Sequence, residues 1–200
     1  MEEKKLELYY DHYKDTFQQQ VRYIDNRNKY FFISIILVGL LFVSITDSKT
    51  VINVIDSLIK KEISDKFIFD FGYINHFLLF GLLWVLILYF QTTLTIEKQY
   101  KYLSKLEDDL TNLFTPLSIS REGKFYLKVK PQFVRLVSKI YKVFFPISIV
   151  FAVLTKLYIE MCLVQTLKSL SFWIDFVLCL VIVLLTSLYF YWQNVERKRK

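Results

Sequence analysis

Glycine, proline, cysteine and histidine are all scarce in this chain, with four, three, two and two copies among 200 residues. So few glycines and prolines leave room for few turns and for long uninterrupted segments. The two cysteines, Cys162 and Cys179, lie in apolar runs with no CxxC spacing. They read as small core residues rather than a redox pair. The histidines His12 and His76 stand far apart, which excludes a histidine-based metal site at the sequence level. No cofactor is implied. Residues 1–29 are polar and hold no signal-peptide core. Enzyme signatures are missing too: there is no legible Ser/His/Asp set, HExxH, Walker lysine or Asp-rich lipid-transferase motif. The adjacent Asp108 and Asp109 diverge on a helix. The expectation is a protein that is not an enzyme. No inverted repeat supports a transporter.

Apolar residues, by contrast, are abundant. Hydrophobic residues make up 54% and aromatics 18% of the chain, and the mean hydropathy is positive. A soluble domain of this size could not hide that much apolar surface. The expected fold class is an all-α integral membrane protein with four transmembrane helices, cytoplasmic helical extensions and a small β-hairpin. The spans are expected at residues 30–46, 73–96, 143–164 and 172–192, each near the length needed to cross a bilayer core. Ahead of them, Leu6, Tyr9, Tyr10, Tyr13, Phe17, Val21 and Ile24 recur at helical spacing, so residues 1–29 predict a cytoplasmic amphipathic helix. In the 47–72 loop, Val51, Val54, Ile55, Leu58, Ile59 and Ile63 share one helical face, as in a helix lying on the outer surface.

The 97–142 segment is the most varied. No proline or glycine stops the second span, and Leu103, Leu106, Leu110 and Leu113 continue its pattern at near-heptad spacing. One long helix should therefore leave the membrane and run to about Phe114. Pro116 ends it. Arg121-Glu122-Gly123 is a turn signal, and Lys124 to Lys130 alternate apolar and basic residues, which predicts a hairpin. Pro131 suits the start of a basic helix, and Pro146 should kink the third span near its inner end.

Lys and Arg set the orientation. Six lie in 1–29, ten in 97–142 and four in the 193–200 tail, against five in the two other loops. Twenty against five places both termini inside by the positive-inside rule.

Three groups of residues are candidates for function. Lys156 and Glu160 lie four apart in the third span and share a face, and Asp175 enters the fourth span from the same side. An ionisable residue inside a membrane marks a functional site by default. The trio is either a charged gate or intramembrane network, or an i,i+4 pair snorkelling to the outer headgroups. Arg121, Lys124, Lys128, Lys130, Arg135 and Lys139 form a basic surface for an anionic ligand, such as a nucleotide or oligonucleotide, for a cytoplasmic protein, or for anionic lipid. The Leu103, Leu106, Leu110 and Leu113 stripe is either covered by the N-terminal helix or basic loop, or bundles with its copies in a homo-oligomer.

This layout of an N-terminal cytoplasmic helix, four spans and a basic inner loop resembles small four-span membrane subunits of bacterial anti-phage systems. The channel-like effector of Hailong, the membrane subunit of Kiwa and four-span accessory proteins beside some CRISPR loci share it. The resemblance implies a bacterial inner-membrane oligomer, with a tetramer as the first choice, that perturbs the membrane when a partner or signal is recognised. Two functions then stand open. One is a pore gated from the cytoplasm, closed by dewetting at the uncharged stretch from Phe77 to Phe90. The other is a membrane sensor or scaffold that recruits a soluble effector.

The topology is testable directly. A cysteine introduced at Ser64 should be labelled from outside intact cells above the background of Cys162 and Cys179, and one at Ser120 should not. Labelling at Ser120 would overturn the orientation.

Overall fold

The computed structural model describes residues 2–46, 74–113, 132–162 and 170–198. All of these are helical. The expected outer amphipathic helix at 51–63 and the hairpin at 124–130 lie outside the described residues. In chain order the helices are α1 (Glu2–Thr46), α2 (Ile74–Leu113), α3 (Gln132–Lys139), α4 (Phe145–Cys162) and α5 (Leu170–Lys198). A π-helical turn, Ile140–Phe144, joins α3 to α4. Four helices are long and apolar enough to cross a membrane, with mean hydropathies of 1.5, 2.0, 1.8 and 2.3 over their most apolar stretches.

Two of these helices outrun the expected spans. The amphipathic segment and first span, expected as separate elements at 1–29 and 30–46, are one unbroken 45-residue helix. No proline interrupts α1, and its one glycine, Gly39, has nothing within 4 Å of a Cβ position. The 40 residues of α2 amount to about 60 Å at 1.5 Å per residue, twice a bilayer core of about 30 Å. Its described residues end at Leu113. The α3 helix starts immediately after Pro131.

The chain divides into two compact units, residues 1–30 with 88–145 and residues 31–87 with 146–200. In the first unit, the N-terminal part of α1 packs on the C-terminal part of α2. Tyr13 is buried with Leu103, Leu106 and Leu110, and Tyr9 and Phe17 pack against them. The spacing of Tyr9, Tyr13 and Phe17 puts one ring per turn over the leucine row. The Tyr13 hydroxyl donates to Oε1 of the buried Glu107 at 3.2 Å. Of the two fates open to the leucine stripe, the first holds for Leu103, Leu106 and Leu110. They are covered by the N-terminal helix of their own chain and are not free to bundle with copies. The side chain of Leu113 lies outside the described ones.

The second unit is a set of four segments whose directions alternate. Ser44, near the end of α1, donates to Asn75 Oδ1 near the start of α2 at 2.6 Å. The start of α5 lies beside the start of α2 through the His76–Asp175 contact, and the C-terminal half of α4 reaches the same point through Lys156. Leu79, Leu82, Leu86, Cys179 and Ile182 are fully buried in its core.

The distortion expected at Pro146 takes a specific form. Proline has no N–H to donate. The Phe145 N–H, which in an α-helix would serve the Tyr141 carbonyl, reaches back to Ile140 instead. Tyr141 therefore has no backbone donor at position 145 and none at 146. The Tyr89 hydroxyl fills the gap, donating to the Tyr141 carbonyl at 2.5 Å. Its ring packs edge-on against Phe145, with centroids 4.8 Å apart. The Arg27 guanidinium lies over the Tyr141 ring at 4.4 Å, and Lys142 pairs with Glu97.

This arrangement predicts a coupling. Tyr89→Phe should cost about 1–3 kcal/mol by orphaning a carbonyl. In a Pro146→Ala background, which restores a donor, the same change should cost much less. Unfolding of the detergent-solubilised chain, followed by circular dichroism in a double-mutant cycle, measures the difference.

Candidate functional site

The intramembrane charges converge. Lys156 donates from Nζ to Asp175 Oδ2 at 2.5 Å and to Glu160 Oε1 at 2.6 Å. The other oxygen of Asp175, Oδ1, meets His76 Nδ1, and His76 Nε2 lies 2.8 Å from Ser171 Oγ. Three helices supply the row: His76 from α2, Lys156 and Glu160 from α4, and Ser171 and Asp175 from α5. Lys156 and Glu160 meet because positions four apart stack on one helix face. Ser171 and Asp175 are also four apart, so a single imidazole inserted between them touches both.

Burial decides between the two readings of the pair. The Lys156 side chain is 2% exposed and that of Asp175 is 4% exposed. A snorkelling lysine keeps its ammonium in water; this one is turned into the bundle. Its ammonium meets two carboxylates of its own chain. A carboxylate only accepts hydrogen bonds, so the His76 Nδ1 facing Asp175 carries the proton. In neutral imidazole, Nε2 then accepts from the Ser171 hydroxyl. The order Ser–His–Asp is that of an activated nucleophile. Here the carboxylate is shared, since Asp175 also accepts from Lys156.

Around this row the spans are apolar. The exposed residues of α1 between Phe31 and Ser44 are Phe32, Ile33, Ile35, Ile36, Gly39, Leu40 and Val43. The outward face of α2 shows Phe77, Phe80 and Trp84. The polar residues Ser34, Thr93 and Thr186 are buried instead. Thr93 and Thr186 each back-bond to the carbonyl four residues earlier, the usual way a hydroxyl is satisfied inside a span.

The other expected sites fare differently. Arg121, Lys124, Lys128 and Lys130 lie outside the described residues. Arg135 and Lys139 are exposed on α3, whose apolar residues Phe133, Val134 and Leu136 are exposed as well. Sequence reasoning treated His76 only as a histidine too far from His12 to make a metal site, and overlooked Glu107. The signal for Glu107 was present: it falls between Leu106 and Leu110 on a stripe already recognised as apolar. His76 carries no such signal, because its partners come from a helix about 95 residues downstream. Among the described residues, no group of three or more His, Cys, Asp or Glu is arranged to hold a metal ion.

No family model matches the chain, and no curated protein or solved structure matches it either.

Removing one member of the row should show its worth. Lys156→Met leaves Asp175 buried without its ammonium and should cost about 3 kcal/mol or more. Adding Asp175→Asn should recover part of that loss. Thermal unfolding of the purified variants checks both, and a silent Lys156→Met would show that the pair contributes nothing to the bundle.

Proposed function

We propose that the chain is a four-span membrane sensor or scaffold that presents a cytoplasmic helical platform to a soluble partner. The observation that carries this reading is the distribution of polarity in the spans. Lys156, Asp175 and His76 are paired inside one chain, while the exposed positions of α1 between Phe31 and Ser44, and Phe77, Phe80 and Trp84 on α2, are apolar and suited to lipid. A chain built this way is complete as a membrane anchor. The α1–α2 pair around Tyr13 and the exposed basic α3, with Arg135 and Lys139, supply the docking surface. The excess of twenty inner basic residues over five outer ones supports a platform in the cytoplasm with both termini beside it. The resemblance to anti-phage membrane subunits supports a bacterial inner membrane and a role in defence.

A second reading is favoured by one observation. Phe77, Phe80 and Trp84 are exposed on one face of α2, with 59% or more of Phe77 and Phe80 accessible. In a symmetric homo-oligomer, such as a tetramer, that aromatic face would form a constriction that closes by dewetting. An anionic ligand or partner on the basic surface would gate it only by binding one pore state better than the other.

Reconstitution separates the two. The purified chain in planar bilayers should show no stepwise conductance. Cells expressing it with its genomic neighbours should resist phage with their membrane potential intact. Arg135→Glu with Lys139→Glu should abolish that protection without lowering membrane insertion. Stepwise conductance that disappears in Phe80→Asp would overturn the scaffold in favour of the pore.

A further inference from the structure

We infer that the row His76–Asp175–Lys156–Glu160, entered through Ser171, is a proton-binding site open to the compartment at that end of the bundle. The inference does not depend on the sensor reading, since a pore could carry the same site.

Continuity comes first. Ser171, His76, Asp175, Lys156 and Glu160 form an unbroken sequence of hydrogen bonds and ion pairs. Every member can donate or accept a proton. The row starts at an exposed hydroxyl, since Ser171 sits on the surface beside the exposed Leu170 and Trp173. It is deepest at Lys156, which is 2% exposed, and turns back there to the half-buried Glu160 one helix turn nearer the same end. Beyond Lys156 the bundle is apolar: a small void there is lined by Val38, Leu41, Phe42, Leu82, Ala152 and Val153. The row therefore leads inward from one side and stops. That geometry fits loading of a proton rather than its transport across the membrane.

Charge is the second argument. Two carboxylates, one ammonium and a neutral imidazole leave the cluster with one negative charge. One added proton makes it neutral, and net charge is what an apolar bundle tolerates least. His76 is the acceptor the geometry offers, because its Nε2 faces the exposed Ser171 hydroxyl and holds no proton while the ring is neutral. Its contacts survive the change. Protonated imidazole donates from both nitrogens, and the Ser171 hydroxyl turns from donor to acceptor. The facing groups on each element are accounted for. The α4 helix brings Lys156 and Glu160. The α5 helix brings Asp175, Ser171 and the buried Cys179 thiol, which feels the same charges. The described part of α1 brings only the Ser44 hydroxyl, already bonded to Asn75.

Nitrogen-15 NMR of the histidine rings in the full chain, held in lipid nanodiscs, tests this. The chain has two histidines, so His12→Gln leaves His76 as the sole signal. His76 should take up one proton as the pH is lowered. Asp175→Asn, or Glu160→Gln where that variant fails to fold, should weaken its proton affinity, by about tenfold for Asp175→Asn. Lys156→Met should strengthen it. Ser171→Ala should leave the midpoint in place and slow exchange of the ring proton with water by about tenfold. A His76 that takes up no proton as the pH is lowered would overturn the inference. So would one whose midpoint ignores these carboxylates, or whose exchange is indifferent to Ser171.

Discussion

An ammonium group inside a bundle of apolar helices has to find its counter-charges within the same chain, and Lys156 does. Its two carboxylates come from its own helix and from α5, and one of those carboxylates holds His76 of α2. That single requirement fixes which helices are neighbours and in what register. The start of α2, the C-terminal half of α4 and the start of α5 must meet at one level. Slipping any of them by one residue would rotate a charge by about 100° toward lipid, where no partner waits. Hydrophobic contacts such as Leu79, Leu82 and Ile182 supply the bulk of the packing, but apolar surfaces tolerate many registers. The charged row does not.

The first unit solves a different problem with similar means. A proline near the start of a span removes a backbone donor, and the local helix widens into a π turn that strands the Tyr141 carbonyl. A tyrosine from a neighbouring helix supplies the missing hydrogen bond. Close by, Arg27, Glu97 and Lys142 surround the same turn with charge and π contacts. Further along, Tyr13 and Glu107 place one polar contact inside the leucine stripe. In both places a tyrosine hydroxyl satisfies a polar group that would otherwise be left bare.

These choices bear on function through what they leave outside. Lys156, Asp175, Thr93 and Thr186 are used internally, much of the outer surface of the four candidate spans is apolar, and the basic and aromatic α3 is exposed. The same economy removes two features that made an oligomeric pore attractive from the sequence. The leucine stripe is covered by α1, and the charged trio is paired within its own chain. The aromatic face of α2 is the feature that remains for assembly.

The sequence by itself determined that the described chain is helical, with four helices long and apolar enough to cross a membrane. Long apolar runs and few glycines or prolines dictate helices, and the spacing of Tyr9, Tyr13 and Phe17 marks a helix face, because these are local properties with a fixed period. It also placed Lys156, Glu160 and Asp175 in reach of one another, since two of them lie one turn apart and the third enters from the same end. It did not show that α1 is one helix from end to end, because a change from polar to apolar composition looks like a boundary even where the backbone has none. Nor did it show His76 as a partner of Asp175, or Tyr89 as the donor for Tyr141. Those pairs join residues 99 and 52 positions apart. No periodicity encodes them: side chains so distant in sequence meet only when helix packing has set the register between them.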